Sequence, residues 1–119
     1  MRRHNVLDDC VIYINGEKAL AVKALESKAK IMPSLGDPEK VDELIKLYQP
    51  YAFDTKWEIL SRNLIDKCHA NGVKVFSDAM GYENIDSFRQ VMEWGIDCIQ
   101  TDEPIILLRA MELQAKNMR

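Results

Sequence analysis

GIDCIQTDEP, Gly95 to Pro104, holds an apolar run from Ile96 to Ile99 that closes in a hydroxyl and two carboxylates just before a proline. A short apolar run ending in polar residues, with proline opening a helix, is the pattern of the carboxyl end of a parallel strand. Open sheets and barrels of the α/β class place their ligand sites at that end. The rest of the chain is read outward from this point.

The 119 residues are one domain by length, enough for a single core and short for a closed barrel. Apolar residues make up 47% and charged residues 29%, an ordinary balance for a globular protein. A net charge of −3 and the lack of a basic stripe interleaved with aromatics argue against nucleic acid as a partner. No apolar run reaches membrane-spanning length, and MRRHNVLDD at the start lacks the apolar segment of a signal peptide. Cys10, Cys68 and Cys98 are widely spaced with no C-x-x-C pair, so they read as three buried thiols rather than zinc ligands.

Strand-like runs begin near Cys10 (CVIYIN), Lys30 (KIMPSL), Tyr51 (YAFDT), Val73 (VKVFSDA) and Asp97 (DCIQTD). The steps of about 20 to 24 residues each leave room for one strand, one helix and two short loops. The first helix is predicted over 17–29. Val41, Leu44, Ile45 and Tyr48 give the second one apolar face, behind Asp37-Pro38 as cap and first turn. Trp57, Leu60, Leu64, Ile65 and Cys68 share one side of the third, which stops at Asn71-Gly72. Asp86, Phe88, Val91 and Met92 mark the fourth, ending at Gly95. Pro104 opens a fifth, with Ile105, Leu108 and Met111 predicted to face inward. Strands separated by helices, with no hairpin signal, imply a parallel sheet with right-handed crossovers.

Five βα units suit either part of a barrel or a small doubly wound sheet of the receiver or flavodoxin kind. A receiver would phosphorylate Asp54 at the end of the third strand. It would also want acids after the first strand, where Asn15-Gly16 stands, and a lysine after the fifth, where Glu103 stands. No glycine-rich nucleotide loop is present.

Asn15, Ser34, Asp54 with Lys56, Ser77 with Asp78, and Thr101 with Asp102 and Glu103 fall at strand ends and so share one rim. Carboxylates on neighbouring strands could hold a hard cation, but an Asp before a helix is more often a cap. Asp102, two residues ahead of Pro104, is read in that way. His69 in KCHANG closes a helix at the opposite end of the strands, as a polar group at a helix C-terminus. His4 precedes the first strand and reads as exposed. No general acid or base is therefore placed on the rim.

The segment HANGVKVFSDAMGYENIDSFRQVMEWGIDCIQTDEPIILLRAME, His69 to Glu112, resembles the C-terminal part of glycerophosphodiester phosphodiesterases. His69, Gly72, Gly95, Asp97, Ile99, Thr101, Asp102 and Pro104 match the family pattern. Phe76-Ser77 stands where the family has Trp-Thr, and Cys98 where it has a second glycine. The resemblance implies a single domain, residues 1–119, forming strands four to eight of a TIM barrel. It also implies hydrolysis of glycerophosphodiesters to glycerol 3-phosphate and an alcohol with Mg²⁺ or Ca²⁺. The family's H-R-G, H-D and E-x-D segments, which supply its catalytic histidines and metal carboxylates, are not in this chain. No catalytic or metal-ligating residue is thus assigned, and no metal is expected to bind this chain alone. Asn15, Ser34, Asp54, Lys56, Phe76 and Asp78 are expected to form the substrate pocket wall, with Thr101, Asp102 and Pro104 a structural loop. Five strands of eight would leave two unpaired edges through which the chain could associate.

Overall fold

The computed structural model describes residues 6–117; His4 lies outside them. Six short strands are formed: β1 (Val11–Tyr13), β2 (Lys30–Met32), β3 (Ser34–Leu35), β4 (Ala52–Thr55), β5 (Lys74–Asp78) and β6 (Cys98–Gln100). Five α-helices alternate with them: α1 (Gly16–Leu25), α2 (Val41–Tyr48), α3 (Arg62–Ala70), α4 (Ile85–Glu93) and α5 (Pro104–Asn117).

The run predicted as one strand over 30–35 is two because Pro33 has no N–H to give the ladder. Its carbonyl still accepts from Asp54 N–H at 2.9 Å. On either side Tyr51 N–H reaches Ile31 O and Lys56 N–H reaches Leu35 O, each at 3.0 Å. The pairings β1–β2, β3–β4, β4–β5 and β5–β6 are all parallel. Strand order therefore follows chain order. A doubly wound sheet reverses its order at a switch point, so the doubly wound and receiver alternative is excluded and the partial barrel stands.

The helices sit on one face only. Leu35, Phe53 and Val75 from the strands pack with Val41, Leu64, Ile65, Cys68 and Val91 from α2, α3 and α4. A smaller cluster joins Ile31 to Ala19 of α1, and a third joins Phe88 of α4 to Ala110 of α5. Side chains alternate across a strand, so Ser34, Asp54, Phe76 and Cys98, which are in register, form one row on the opposite face. That face has no helix layer. Its consequence is visible in the surface: 7870 Å² is accessible, against about 6,600 Å² for a closed monomer of this mass.

Several helix limits differ from the sequence reading. α1 stops at Leu25, where Glu26 turns extended, rather than continuing to Ala29. α3 starts at Arg62, because Ser61 Oγ accepts from Leu64 N–H at 3.1 Å and Leu60 is extended, which leaves Trp57 on a separate 3-10 turn. α5 is turned from the expected face. Ala110 is buried, with Ile106 and Leu107 packed beside it, whereas Ile105, Leu108 and Met111 are exposed. The exposed stripe lies on the helix that follows the edge strand β6. Of the thiols only Cys68 is buried, its pKa pushed up to about 11 chiefly by that burial. Cys98 is exposed because it lies on the uncovered face of β6.

The amino ends of β5 and β6 are tied by one carboxylate. Asp97 Oδ2 accepts from Val75 N–H at 2.7 Å and lies 2.7 Å from His69 Nε2 at the end of α3. Gly95 (φ +90°) brings the chain past the His69 ring, which lies 3.7 Å from where its Cβ would be. Asp97→Ala leaves a strand N–H without its acceptor and is expected to cost about 1–3 kcal/mol. His69→Ala, with Asp97 still holding Val75, should cost less. Urea unfolding of both variants gives the order.

Candidate functional site

The carboxyl ends of β3, β4 and β5 open on a cleft of about 490 Å³ lined by Ser34, Asp54, Lys56, Trp57, Asp78 and Met80, among others. Four of the residues expected on the pocket wall, Ser34, Asp54, Lys56 and Asp78, meet here. Parallel pairing is the reason, since it puts every strand's last residue on the same rim. Phe76 is in register with Asp54 on the same face, one residue pair below Asp78, and does not line the cleft.

Asn15 does not line it either. Its Oδ1 accepts from Ser34 N–H at 2.7 Å, and Ser34 Oγ lies 2.8 Å from Tyr13 Oη. The residue fixes the first loop onto the β2–β3 run and thereby sets where Ser34 stands. In the last loop Thr101 Oγ1 accepts from Glu103 N–H at 3.0 Å. The carboxylate of Asp102 makes no hydrogen bond among the described residues, so the bond that shapes the loop ahead of Pro104 is the threonine's. Thr101, Asp102 and Pro104 lie outside the cleft.

The cleft carries more negative charge than positive. Asp54, Glu58 and Asp78 line it against Lys56 alone. Burial, and then the Asp78 carboxylate, hold the Asp54 carboxyl above its ordinary value of 3.8. Asp78 is held in turn, its Oδ1 accepting from Met80 N–H at 3.0 Å. Lys56 forms no ion pair among the described residues.

Sequence reasoning missed the aromatic side of this cleft. Trp57 stacks on Tyr82 with centroids 6.1 Å apart and 17° between planes, and meets Phe88 edge-on at 6.3 Å. Tyr82 Oη donates to Glu58 Oε1 at 3.3 Å, and the Glu58 charge raises the tyrosine's pKa. Trp57 follows Lys56 directly, so its place at a strand end was a usable signal. Its fit to the periodicity of the next helix concealed it.

Among the described residues no three of His, Cys, Asp or Glu come together to hold a metal ion. A divalent cation of the Mg²⁺ or Ca²⁺ kind wants several oxygen ligands at once, so the residues of this chain alone do not fit one. His69 is at the far end of the sheet, paired with Asp97. The rim thus offers fixed charges and an indole and, among the described residues, no histidine.

Three substitutions separate these roles. A carboxyl raised in the folded state adds stability that is full below 3.8 and lost as pH rises through the higher folded value. Asp54→Asn is therefore expected to be more stable than the parent at pH 7, with the advantage vanishing below pH 3.8, by urea unfolding across that range. Thr101→Val should cost about 1 kcal/mol, the scale of a lost cap. Asp102→Ala should stay within about 0.5 kcal/mol of the parent, as a surface change does.

No protein-family model and no curated protein matches the sequence. Solved structures do match. A Galdieria sulphuraria protein described as a glycerophosphodiester phosphodiesterase superposes with a TM-score of 0.76 at 16% identity, over 91% of this chain and 46% of its own. One from Silicibacter pomeroyi, described in the same terms, gives 0.71 at 15%, over 95% and 41%. An Oleispira antarctica phosphodiesterase, solved with its product sn-glycerol-3-phosphate, gives 0.73 at 14%, over 86% and 41%. This chain spans less than half the length of each. It has the fold of part of a glycerophosphodiester phosphodiesterase barrel.

Proposed function

We propose that this chain is the C-terminal part, strands four to eight, of a glycerophosphodiester phosphodiesterase barrel. In that arrangement it supplies one wall of the substrate pocket. The observation that carries the reading is the strand order. Sequential parallel strands with helices on one face and a cleft at the carboxyl rim are what a barrel segment requires. The motif from His69 to Pro104 supports the same assignment. Asp97 in it clasps β5 to β6, and Thr101 shapes the last loop.

The division of labour follows from chemistry. Cleaving a phosphodiester needs a positive centre for the developing charge and an acid for the leaving alcohol. Lys56 is the one cationic side chain lining the cleft, and it is suited to hold a phosphate oxygen as a point charge. The general acid and the divalent cation would come from the segments that complete the barrel. Those segments would pair with the free edges of β1 and β6 and cover the row Ser34, Asp54, Phe76 and Cys98. No helix among the described residues is long and apolar enough to cross a membrane.

The test is release of glycerol 3-phosphate from glycerophosphocholine with Mg²⁺ or Ca²⁺ and an EDTA control. The chain alone is expected to give none. Mixing it with a segment that carries the first three βα units of a full-length barrel should produce metal-dependent release. Metal-dependent release by the chain alone would refute the assignment. A non-catalytic phosphate-binding module, the second reading, would bind glycerol 3-phosphate tightly and show no gain on mixing.

A further inference from the structure

We propose that this chain pairs with a second copy of itself, α5 against α5 in antiparallel, about a two-fold axis at Leu108. The surface is separate from the rim cleft, and the inference does not depend on the phosphodiester reading. Ile105, Leu108 and Met111 follow one another at three-residue steps, share one side of α5 and are each more than half exposed. The opposite side of the helix is already used, with Ile106, Leu107 and Ala110 packed beside Phe88 of α4. The stripe runs on into an apolar groove of about 240 Å³ beside β6, where Cys98, Ile99 and Met111 meet. The other helices show no such row. Leu47 stands singly on α2, and Leu20 and Leu25 of α1 are five residues apart and so on different sides.

A two-fold interface lays one patch onto itself, so the patch must complement its own reverse. This stripe does. Leu108 is its midpoint, so reversal puts Leu108 on Leu108 and brings Ile105 level with Met111 of the other copy. The charges match in the same sense. Asp102 stands just ahead of the helix and Lys116 in its last turn, both exposed and neither in an ion pair among the described residues. Antiparallel packing sets Asp102 of each copy beside Lys116 of the other, whereas parallel packing would set like charge on like. Arg109 and Glu112, which flank the stripe, are paired with each other at 3.1 Å and bring no net charge to the seam. The area suffices as well. The accessible surface exceeds that of a closed monomer by about 1,300 Å², and a stable interface takes about 800 Å² from each partner.

Sedimentation equilibrium over about 1 µM to 1 mM chain reads the association directly. The mass is expected to rise from one chain to two and stop there, because a two-fold interface closes on itself. Leu108→Lys, at a side chain already in solvent, is expected to weaken the dimer at least about thirtyfold. It removes an apolar contact from both copies and sets two ammonium groups face to face. Its far-UV circular dichroism should match the parent's, and Leu47→Lys on α2 should leave association unchanged. Lys116→Asp is expected to weaken the dimer about fivefold, the worth of two exposed ion pairs. Adding Asp102→Lys to it should restore the parent's affinity. One chain mass at every concentration, growth beyond two chains, a dimer indifferent to Leu108→Lys, or a charge exchange that restores nothing would each overturn the proposal.

Discussion

A parallel sheet needs cover on both faces and a neighbour at both edges, because its strands are apolar throughout and its ladder groups cannot be left without partners. This chain meets the requirement on one face. Leu35, Phe53 and Val75 are sealed under α2, α3 and α4, while the row from Ser34 to Cys98 has no helix over it. The remaining features follow from that asymmetry. Tyr13 and Val11 stand exposed on the first strand, Cys98 on the last, and the edge helix α5 shows Ile105, Leu108 and Met111 to solvent. These exposed apolar groups lie on the first and last strands and on the helix beside the last one, away from the face that α2, α3 and α4 seal.

The same asymmetry separates what the sequence could reveal from what it could not. Strand and helix order was legible because apolar period and capping residues are local. Asn71-Gly72 ends α3 and Gly95 follows α4, as read. Closure was not legible, because a barrel segment and a doubly wound sheet share the same βα period and differ only in which strands become neighbours. Helix face was legible where two layers cover it and misleading at α5. There the three-residue spacing of Ile105, Leu108 and Met111 records an apolar face, but the packed side is that of Ile106, Leu107 and Ala110. Trp57 was misplaced for a similar reason. The two-residue break, Leu60 and Ser61, between the 3-10 turn and α3 cannot be seen in a period, although Ser61 as N-cap marks it.

Within the site, the rim residues were legible as a group because parallel strands deliver their ends to one place. Their individual roles were not. Asn15 and Asp54 look alike in sequence, each a polar residue closing a strand-like run, yet one is spent on Ser34 N–H and the other faces open space. The difference is made by one loop. Gly16, at φ +63°, turns the chain straight into α1 and leaves Asn15 beside β3, where the nearest unpaired group is a backbone N–H. No spacing rule on the Asn15 side carries that information.

The two ends of the sheet divide stability from recognition. At the amino end, Asp97 accepts from a strand N–H and lies within hydrogen-bond distance of His69, so the one histidine among the described residues sits at the seam of β5 and β6. At the carboxyl end the charges are left unbalanced, three carboxylates to one lysine, around an indole fixed by its neighbours. Balanced pairs stabilise a fold, whereas an unbalanced set in a cleft costs stability that only a ligand of opposite charge returns. The excess is negative, and Lys56 is its one counter-charge in the cleft. An anionic group entering this cleft therefore meets repulsion everywhere except beside Lys56.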